Sequence, residues 1–393
     1  MPGSVILTGA RTPIGKLSGA FASMAATDLG GVAIKGALDK AGISGDDVDY
    51  VIMGQVIQAG AGQITARQAA NNAGIPMSVP ATTINKVCLS GLNAIYLADL
   101  MIQSGDADIV VAGGMESMTN APYLMPGARA GYRAGDKTVV DSMMYDGLFC
   151  AFDQVAMGAG TEKYAASAGL ERGPQDEFSA VSHQRAADAI KNGLFDDEIV
   201  PVSVPQRKGD PVVVTTDEGV RGDTTAESLG GLRPAFDKAG NITAGNASQI
   251  SDGASATIVV SAAKAAELGI TGLGEVVGYG QVAGPDPSLL TQPSRAILNA
   301  LEGASITQDQ IGLYELNEAF AAVGLASMDQ LGITPDVTNV NGGAIALGHP
   351  VGMSGNRLAL TLLHEMKRRG VEFGAAALCG GGGQGDALLV KAL

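Results

Sequence analysis

One order of strand-like and helix-like segments occurs twice along the 393 residues, and this repetition restricts the possible folds more than any other feature of the sequence. In the first part, β-branched runs at residues 4–8, 50–53 and 81–85 alternate with helix-length segments at residues 28–41 and 65–73. Alternation of this kind is typical of βαβ units. It predicts an α/β fold.

The next two segments of the first part are less polar. Residues 89–103 contain few polar side chains, which predicts a helix enclosed on most sides that ends at Gly105. Residues 109–112 predict a buried strand that breaks at Gly113 and Gly114.

The C-terminal part follows the same order. Strand-like runs stand at residues 313–316, 337–340 and 374–378, and helical segments stand at residues 318–330 and 354–369. The second of these helices has a basic last turn before a glycine, a common helix ending. The sequence therefore predicts an internal duplication.

Alignment of the two parts by element order pairs four residues. Cys88 and His349 fall at matching junctions between a strand and a helix. Gly113 lies opposite Cys379 at matching strand ends. Residues with reactive side chains or bare backbone thus recur at equivalent places.

Residues 119–249 interrupt the first part and predict an insertion. The closing strands of the two parts, GASATIVV at 253–260 and GDALLV at 385–390, are similar, but the first arrives only after this interruption. The insertion is rich in proline and charge and has a helix candidate at residues 176–191. Because it also carries apolar anchors, a lid or ligand-binding cap is favoured over a plain linker. The predicted units are residues 1–118 with 250–269, residues 119–249, and residues 270–393.

Charge and cysteine content argue against several classes of protein. The 25 basic and 40 acidic residues give a net charge of −15, so we expect neither nucleic acid nor a membrane as a partner. No run approaches the ~18 apolar residues of a membrane span, and no secretory leader is recognised, which predicts a cytoplasmic protein. Cys88, Cys150 and Cys379 are widely spaced, which predicts free thiols and no zinc site.

Cys88 and Cys379 are candidate reactive thiols. Cys88 follows a predicted strand at the first turn of the enclosed helix, where unpaired amides favour a thiolate. Cys379 opens a run of four glycines, whose uncovered amides can stabilise an oxyanion. The alternatives are a small buried hydrophobic residue at Cys88 and a flexible turn after Cys379.

His349 and Asn317 are the other candidates. His349 lies in the glycine-rich segment 341–350, which lacks the Lys-Ser/Thr ending of a phosphate-binding loop. His183 and His364 stand among charged neighbours in helix candidates, so we expect both to be solvated. Asn317 follows a strand and can equally be a helix N-cap. Together, two thiols, an imidazole and an amide at strand ends suit acyl transfer through a thioester.

These motifs resemble the thiolase family, and in particular its biosynthetic branch, over essentially the whole chain. The resemblance rests on residues 85–91, 317–321 and 342–355 and on the glycine run after Cys379. It implies a thiolase-like α/β fold: two similar five-stranded halves in an α-β-α-β-α arrangement, with a loop domain inserted in the first half.

The resemblance also implies a mechanism. Cys88 would take the acetyl group of acetyl-CoA after activation by His349, while Cys379 would exchange protons with CoA and with a second acetyl-CoA. Asn317, through a bound water, and His349 would hold the enolate oxygen. The amides of Cys88 and Gly381 would hold the oxygen of the acyl-enzyme. The implied reaction is a reversible Claisen condensation of two acetyl-CoA to acetoacetyl-CoA and CoA, with CoA as substrate or product and no metal or other cofactor.

The same resemblance implies contacts with CoA. The implied contact residues are Ser248, Arg221, Leu148, Met157, Phe236, Ala244 and Phe320. A local positive patch would let an acidic protein bind this anionic nucleotide. That patch consists of Arg207, Lys208, Arg221 and Arg233. Two departures affect the acyl pocket: Ala156 stands where biosynthetic thiolases often have histidine, and residues 282–293 do not match the family's Met-Gly-x-Gly-Pro stretch.

Other functions stay open at this point. Degradative thiolysis of longer 3-ketoacyl-CoA is the nearest variant, and a non-catalytic acyl-CoA-binding protein is the alternative from another class. A ketosynthase would normally have a second histidine near residues 317–320, and Gly278 and Gly280 lack the rest of a dinucleotide-binding fingerprint. A mean hydropathy of +0.19 is compatible with a large subunit interface. Since thiolases are typically dimers or tetramers, we expect a homotetramer, a dimer of dimers, with residues 125–143 as the candidate tetramer arm.

Overall fold

The computed structural model describes residues 4–393, and its first part alternates strands with helices. These elements are β1 (Val5–Arg11), β2 (Gly15–Lys16), α1 (Ala26–Ala41), β3 (Tyr50–Gly54), α2 (Thr65–Asn72), β4 (Ala81–Ile84), α3 (Ser90–Ser104) and β5 (Ile109–Ser117). The predicted order is confirmed, with boundaries shifted by a few residues.

The chain between β5 and the closing strand of the first part forms short hairpins and helices. They are β6 (Tyr123–Leu124), β7 (Val140–Asp141), a π-helical turn (Met143–Leu148), β8 (Phe149–Cys150), β9 (Val155–Ala156), α4 (Met157–Ser167), α5 (Arg172–Lys191), β10 (Val202–Val204), β11 (Val212–Val214) and α6 (Ala226–Gly230). A buried ion-pair cluster ties this segment to β1, because Arg11 bonds Asp217 at 2.7 Å and Glu198 at 2.7 Å. None of the three side chains reaches water, so the attachment is rigid.

The closing strand and the second part repeat the first pattern. The elements are β12 (Ser251–Val260), α7 (Ala262–Leu268), β13 (Gly274–Ala283), α8 (Gln292–Gly303), β14 (Ile311–Leu316), α9 (Ala321–Leu331), α10 (Ala344–Leu347), α11 (Ser354–Arg369), β15 (Phe373–Gly380) and β16 (Gln384–Ala392).

The long strands form one mixed sheet in the order β14-β15-β16-β13-β1-β12-β5-β3-β4. In the first part β3 is parallel to β4 and β5, whereas β12 is antiparallel to β5 and β1. In the second part β14 is parallel to β15, whereas β16 is antiparallel to β15 and β13. The two parts therefore share one strand pattern, and they meet where Val5 and Ile6 of β1 pair with Glu275 and Gly274 of β13.

Helices cover the sheet in three layers. Residues of α3 and α11, such as Leu92 and Leu358, share one apolar cluster between the two parts. Helix α1 covers the outer face of the first part and α8 that of the second. The stretch Val87–Ser104 is long and apolar enough to cross a membrane, which corrects the expectation that no run reaches that length. Here 44% of the stretch is buried, and its buried face, with Leu92 and Ile95, packs in the apolar cluster between the two parts, so it is a core helix that is enclosed on one side rather than on most sides.

Strand β5 does not break at Gly113 and Gly114 as predicted. It continues to Ser117, since the two glycines pair with Ala256 and Ser255 of β12. The register also corrects the alignment of the halves, because Glu116 pairs with Gly253 just as Cys379 pairs with Gly385. Gly253 and Gly385 begin the matching segments 253–260 and 385–390 of the two closing strands. Glu116 of the first part is therefore the equivalent of Cys379 in the second part, whereas the alignment by element order had assigned Gly113.

The strand predicted at residues 337–340 is reduced to a single bridge. The segment contains a 3₁₀ turn at Pro335–Val337, and only Thr338 pairs with β14. The side chain of Asn339 replaces the missing ladder, since its Oδ1 accepts the N–H of Leu316 and its Nδ2 donates to the carbonyl of Leu316, both at 2.8 Å.

His183 and His364 are buried, and the prediction that they are solvated is wrong. His183 is 3% exposed and accepts the main-chain N–H of Arg221 at Nδ1. Burial lowers the pKa of His183 to about 4 and also lowers the pKa of His364. Both helices pack inward at these positions, although their neighbours in sequence are charged.

Candidate active site

The bend between β4 and α3 holds Cys88 under backbone strain. Val87, just before it, has a φ of 51°, which is rare for a β-branched residue. Two contacts fix the bend: the N–H of Lys86 donates to Ser90 Oγ at 2.8 Å, and Lys86 Nζ pairs with Asp386 of β16 at 2.8 Å. Both parts of the molecule therefore hold this bend.

Cys379 and Gly381 meet Cys88 from the second part. The main-chain amides of Cys88 and Gly381 act on the Cys88 sulfur, and both lower the pKa of the thiol. The Cys379 sulfur is near enough to Cys88 for the two thiols to interact electrostatically. The end of β15 and the start of α3 thus share one site.

Desolvation dominates the acidity of both thiols. It raises the pKa of Cys88 to about 12, in spite of the two amides, and raises that of Cys379 above its ordinary value. The amides favour the thiolate in the predicted direction, but desolvation outweighs them, so the free thiol keeps its proton at pH 7. The sulfur must lose its proton to a neighbouring base in order to react.

His349 is oriented as such a base. Ser354 Oγ donates to the carbonyl of Pro350 at 2.9 Å, so it accepts the ring N–H of His349 Nδ1, 2.6 Å away. This arrangement leaves the electron pair on Nε2, which faces Asn317 Nδ2 at 3.3 Å. Burial lowers the pKa of His349 to about 4, so the imidazole is neutral at pH 7.

Asn317 belongs to this site and is not a helix cap. Helix α9 begins three residues after the predicted start, with Phe320 as its N-cap residue. Asn317 is fully buried, and its main-chain N–H donates to the carbonyl of Ala377 at 3.0 Å. Among residues 4–393 its buried Oδ1 has no hydrogen-bond partner, which leaves one free acceptor on the side chain that contacts His349.

Glu318 is a buried carboxylate that the sequence reading missed, because it looked like a first-turn residue. It accepts Ser182 Oγ at 2.6 Å, Asn339 Nδ2 at 2.9 Å and the N–H of Ile345 at 3.1 Å. Helix α5 and the loop before His349 are thereby attached to the end of β14. Its position beside Asn317 was the one available signal.

A cavity of about 530 Å³ opens beside His349. Its walls include six of the seven residues predicted to contact CoA, namely Ser248, Leu148, Met157, Phe236, Ala244 and Phe320. Leu148 packs against the same apolar cluster as Cys88, and Met157 and Phe320 pack against the cluster that contains Cys379, so residues of the cavity wall connect it to the surroundings of both thiols. Ala156 lies in the wall as well, and its methyl group leaves the space that a larger side chain would fill.

Arg221 does not line this cavity. It is exposed, as are Arg207, Lys208 and Arg233, and none of the four forms an ion pair within residues 4–393. All four side chains are therefore exposed, and their grouping into one positive patch stays a prediction. In the same described range, no group of three or more histidine, cysteine, aspartate or glutamate side chains is placed to hold a metal ion.

Two thiols, a neutral imidazole and converging amides beside a deep apolar cavity define a site for acyl transfer through a cysteine thioester. The family model of the thiolase N-terminal domain matches residues 4–263, and that of the thiolase C-terminal domain matches residues 270–392. The chain therefore belongs to the thiolase family.

Similar proteins cover the same length. A probable acetyl-CoA acetyltransferase of Mycolicibacterium smegmatis is 57% identical over 98% of this chain and 100% of its own. An acetyl-CoA acetyltransferase of Cupriavidus necator is 53% identical over 98% of each chain. The crystal structure of the Bacillus anthracis acetyl-CoA acetyltransferase superposes with a TM-score of 0.97 at 40% identity, covering 100% of this chain and 99% of that one. The duplicated α/β fold is thus confirmed.

Proposed function

We propose that this enzyme is an acetyl-CoA acetyltransferase that joins two acetyl-CoA molecules reversibly into acetoacetyl-CoA and CoA. The observation that carries the proposal is that Cys379 and the Gly381 amide act on Cys88, while the neutral imidazole of His349 lines the cavity together with Val351, whose apolar cluster Cys88 packs against. Full-length relatives with this name support the choice of acetyl-CoA as substrate.

In the first half-reaction Cys88 becomes acetylated. Its proton passes to His349 Nε2, and the sulfur attacks the acetyl carbonyl, whose oxygen takes two hydrogen bonds from the amides of Cys88 and Gly381. The carbon–sulfur bond of acetyl-CoA breaks, and the CoA thiolate takes the proton of Cys379. The raised pKa of Cys379 keeps it protonated until this step.

In the second half-reaction the new carbon–carbon bond forms. The Cys379 thiolate removes a proton from the methyl group of a second acetyl-CoA, while protonated His349, with a water on Asn317, holds the enolate oxygen. The enolate carbon attacks the acetyl carbon on Cys88, and that carbon–sulfur bond breaks. The Cys88 sulfur regains its proton from His349, so charges and protons balance over the cycle.

Substrate binding follows from the cavity. The pantetheine arm would occupy the apolar cavity next to Ser248 and Phe236, with the CoA phosphates near the exposed basic side chains, of which Arg221 is one. The thioester supplies both the leaving group and the acidity of the α-carbon, so the reaction needs no further cofactor.

We further propose that the chain has three units: residues 1–118 with 250–269, the loop domain 119–249, and residues 270–393. We also propose that the enzyme is a cytoplasmic homotetramer.

Incubation with acetyl-CoA, followed by peptide mass spectrometry, tests the acyl-enzyme. We expect an acetyl adduct on Cys88, ping-pong kinetics, and loss of both in Cys88→Ala. Cys150→Ser is the matched control, since this third free thiol takes no part in the steps above. An unmodified Cys88 would reject the mechanism, and unchanged turnover in Cys88→Ala would favour a different nucleophile.

The preferred acyl chain length of the substrate distinguishes the proposed enzyme from the nearest alternative, a degradative thiolase. A degradative thiolase cleaves longer 3-ketoacyl-CoA, and the small Ala156 in the cavity wall is the observation in its favour. A comparison of kcat/KM for acetoacetyl-CoA and 3-oxooctanoyl-CoA decides between the two. A higher value for the longer substrate would reassign the enzyme.

A further inference from the structure

Glu116 is a buried carboxylate that the reaction steps do not use. It is the penultimate residue of β5 and has no exposed surface. Within residues 4–393 it forms no ion pair, and only main-chain amides satisfy it: Oε2 accepts the N–H of Val56 at 2.9 Å and of Gly352 at 3.0 Å, and Oε1 accepts the N–H of Ile57 at 3.2 Å. Burial without a cation makes the ionised form of this group costly and raises the pKa of Glu116 to about 8, so the carboxyl group is present at a cost in stability.

The amides that Glu116 holds belong to the wall around the nucleophile. Val56, Ile57 and Val351, the residue before Gly352, form one apolar cluster, and Cys88 packs against it. A single carboxylate therefore fixes the backbone behind three side chains in the surroundings of Cys88.

The same carboxylate fixes the loop of the base. Gly352 lies three residues after His349 and two before Ser354, which holds the imidazole at Nδ1. A Cβ on Gly352 would lie 2.9 Å from Glu116 Oε2, so only glycine permits this approach. The Gly352 carbonyl in turn packs on Gly91, in the first turn after Cys88, where an added Cβ would meet it at 3.0 Å.

The duplication gives this contact a counterpart. Glu116 occupies in the first part the register position that Cys379 occupies in the second. Cys379 reaches across to the loop before α3, and Glu116 reaches across to the loop before α11. One position has thus supplied a reacting thiol in one half and a backbone clamp in the other.

We propose that Glu116 is a positioning residue, which sets the distance between Cys88 and His349 by binding Val56, Ile57 and Gly352 together. The inference rests on the proposed roles of Cys88 and His349. It assigns Glu116 no contact with substrate.

Glu116→Gln and Glu116→Asp test the clamp. Gln keeps the length and one acceptor that can bridge Val56 and Gly352, whereas Asp keeps the carboxyl group but is too short to reach both. We expect kcat to fall about 10-fold in the Gln variant and about 100-fold in the Asp variant, with KM for CoA substrates changed less than about 2-fold, because a misplacement of ~1 Å costs about that much.

Alkylation provides a readout without CoA chemistry. With a looser wall, Cys88 should react several-fold faster with iodoacetamide at pH 7.5, while buried Cys150 should react at the wild-type rate. Because this measurement needs no acyl transfer, it stands even if the proposed reaction is wrong. Faster reaction of both thiols would instead mean general loosening and would overturn the proposal.

Asp99→Asn is the matched control, since Asp99 is a buried carboxylate of α3 whose side-chain partners among residues 4–393 are Ser4 and Gln103. It should lower the melting temperature about as much as Glu116→Gln but leave kcat and the Cys88 alkylation rate unchanged. A Gln variant with kcat within about 2-fold of wild type, or an Asp variant more active than the Gln variant, would overturn the positioning role. Should the Asp variant fail to fold, the Gln variant alone decides, because it is nearly isosteric and leaves no cation unpaired.

Discussion

The Cys88 thiol illustrates how strongly burial competes with hydrogen bonds at the scale of one residue. Its place before a helix and its two amide neighbours argue for a stabilised thiolate, yet desolvation outweighs them and raises its pKa to about 12. His349 is shifted in the opposite sense, to a pKa of about 4. Both groups are therefore neutral at pH 7, and the reactive pair arises only when the proton moves between them.

The rate of Cys88 alkylation should show this directly. Below its pKa the thiolate fraction grows about tenfold per pH unit, so the rate should rise without a plateau from pH 6 to pH 10, whereas an ordinary thiol levels off near pH 9. Peptide mass spectrometry after timed exposure to iodoacetamide measures it, with glutathione as the reference thiol. A plateau at or below pH 8 would mean that the amides dominate after all.

At the scale of elements, local signals predicted most boundaries and distant contacts decided the exceptions. The bounds of α11 were predictable because Gly370 and a basic last turn end it. The continuation of β5 through Gly113 and Gly114 was not, since residues far away in sequence fill the space there: Ser255 beside Gly113 and Gly352 beside Gly114. Cys88, Cys379 and Asn317 each follow a strand, and from this the sequence predicted that they lie in one site. His349 could not be placed in the same way, because no strand precedes it. Glu116 gave no sequence signal at all, because its partners are main-chain amides.

Asn339 should be worth more to stability than its loop position suggests. It replaces a strand ladder with bonds to Leu316 and also donates to Glu318 at 2.9 Å, and its φ of 46° favours asparagine or glycine. We expect Asn339→Ala to lower the free energy of unfolding by about 2–4 kcal/mol, from three lost hydrogen bonds and buried groups left unpaired.

The Asn339→Gly variant separates the two causes. Glycine adopts the left-handed conformation without a steric cost but loses the same hydrogen bonds. The Gly variant should therefore be more stable than the Ala variant by about 1 kcal/mol, and less stable than the wild type. Urea denaturation at equal protein concentration measures both. An Ala variant within about 0.5 kcal/mol of wild type would show that the side chain does not act as a substitute strand.

For the whole molecule, duplication explains why the site lies between the two parts. Cys88 comes from the first part, whereas His349, Cys379 and Asn317 come from the second, and the cavity wall comes largely from the insertion. The two central helices pack on each other, so the loops before them, with Cys88 and His349, stand side by side. Each part alone would hold only a fragment of the chemistry.

The proposed tetramer can be tested at the hairpin of β6 and β7. Tyr123, Met125 and Val139 are 67%, 54% and 48% exposed there, and large apolar side chains so exposed in a protein of high net charge indicate a contact surface. We expect light scattering to give four chains for the wild type. The double variant Tyr123→Asp, Met125→Asp should give particles of two chains. Its turnover should be unchanged, because the hairpin contributes none of the reacting residues. Val213→Asp, at a 57% exposed position on the other hairpin, should remain tetrameric. A wild-type monomer, or a tetramer that survives the double substitution, would remove the hairpin from the assembly.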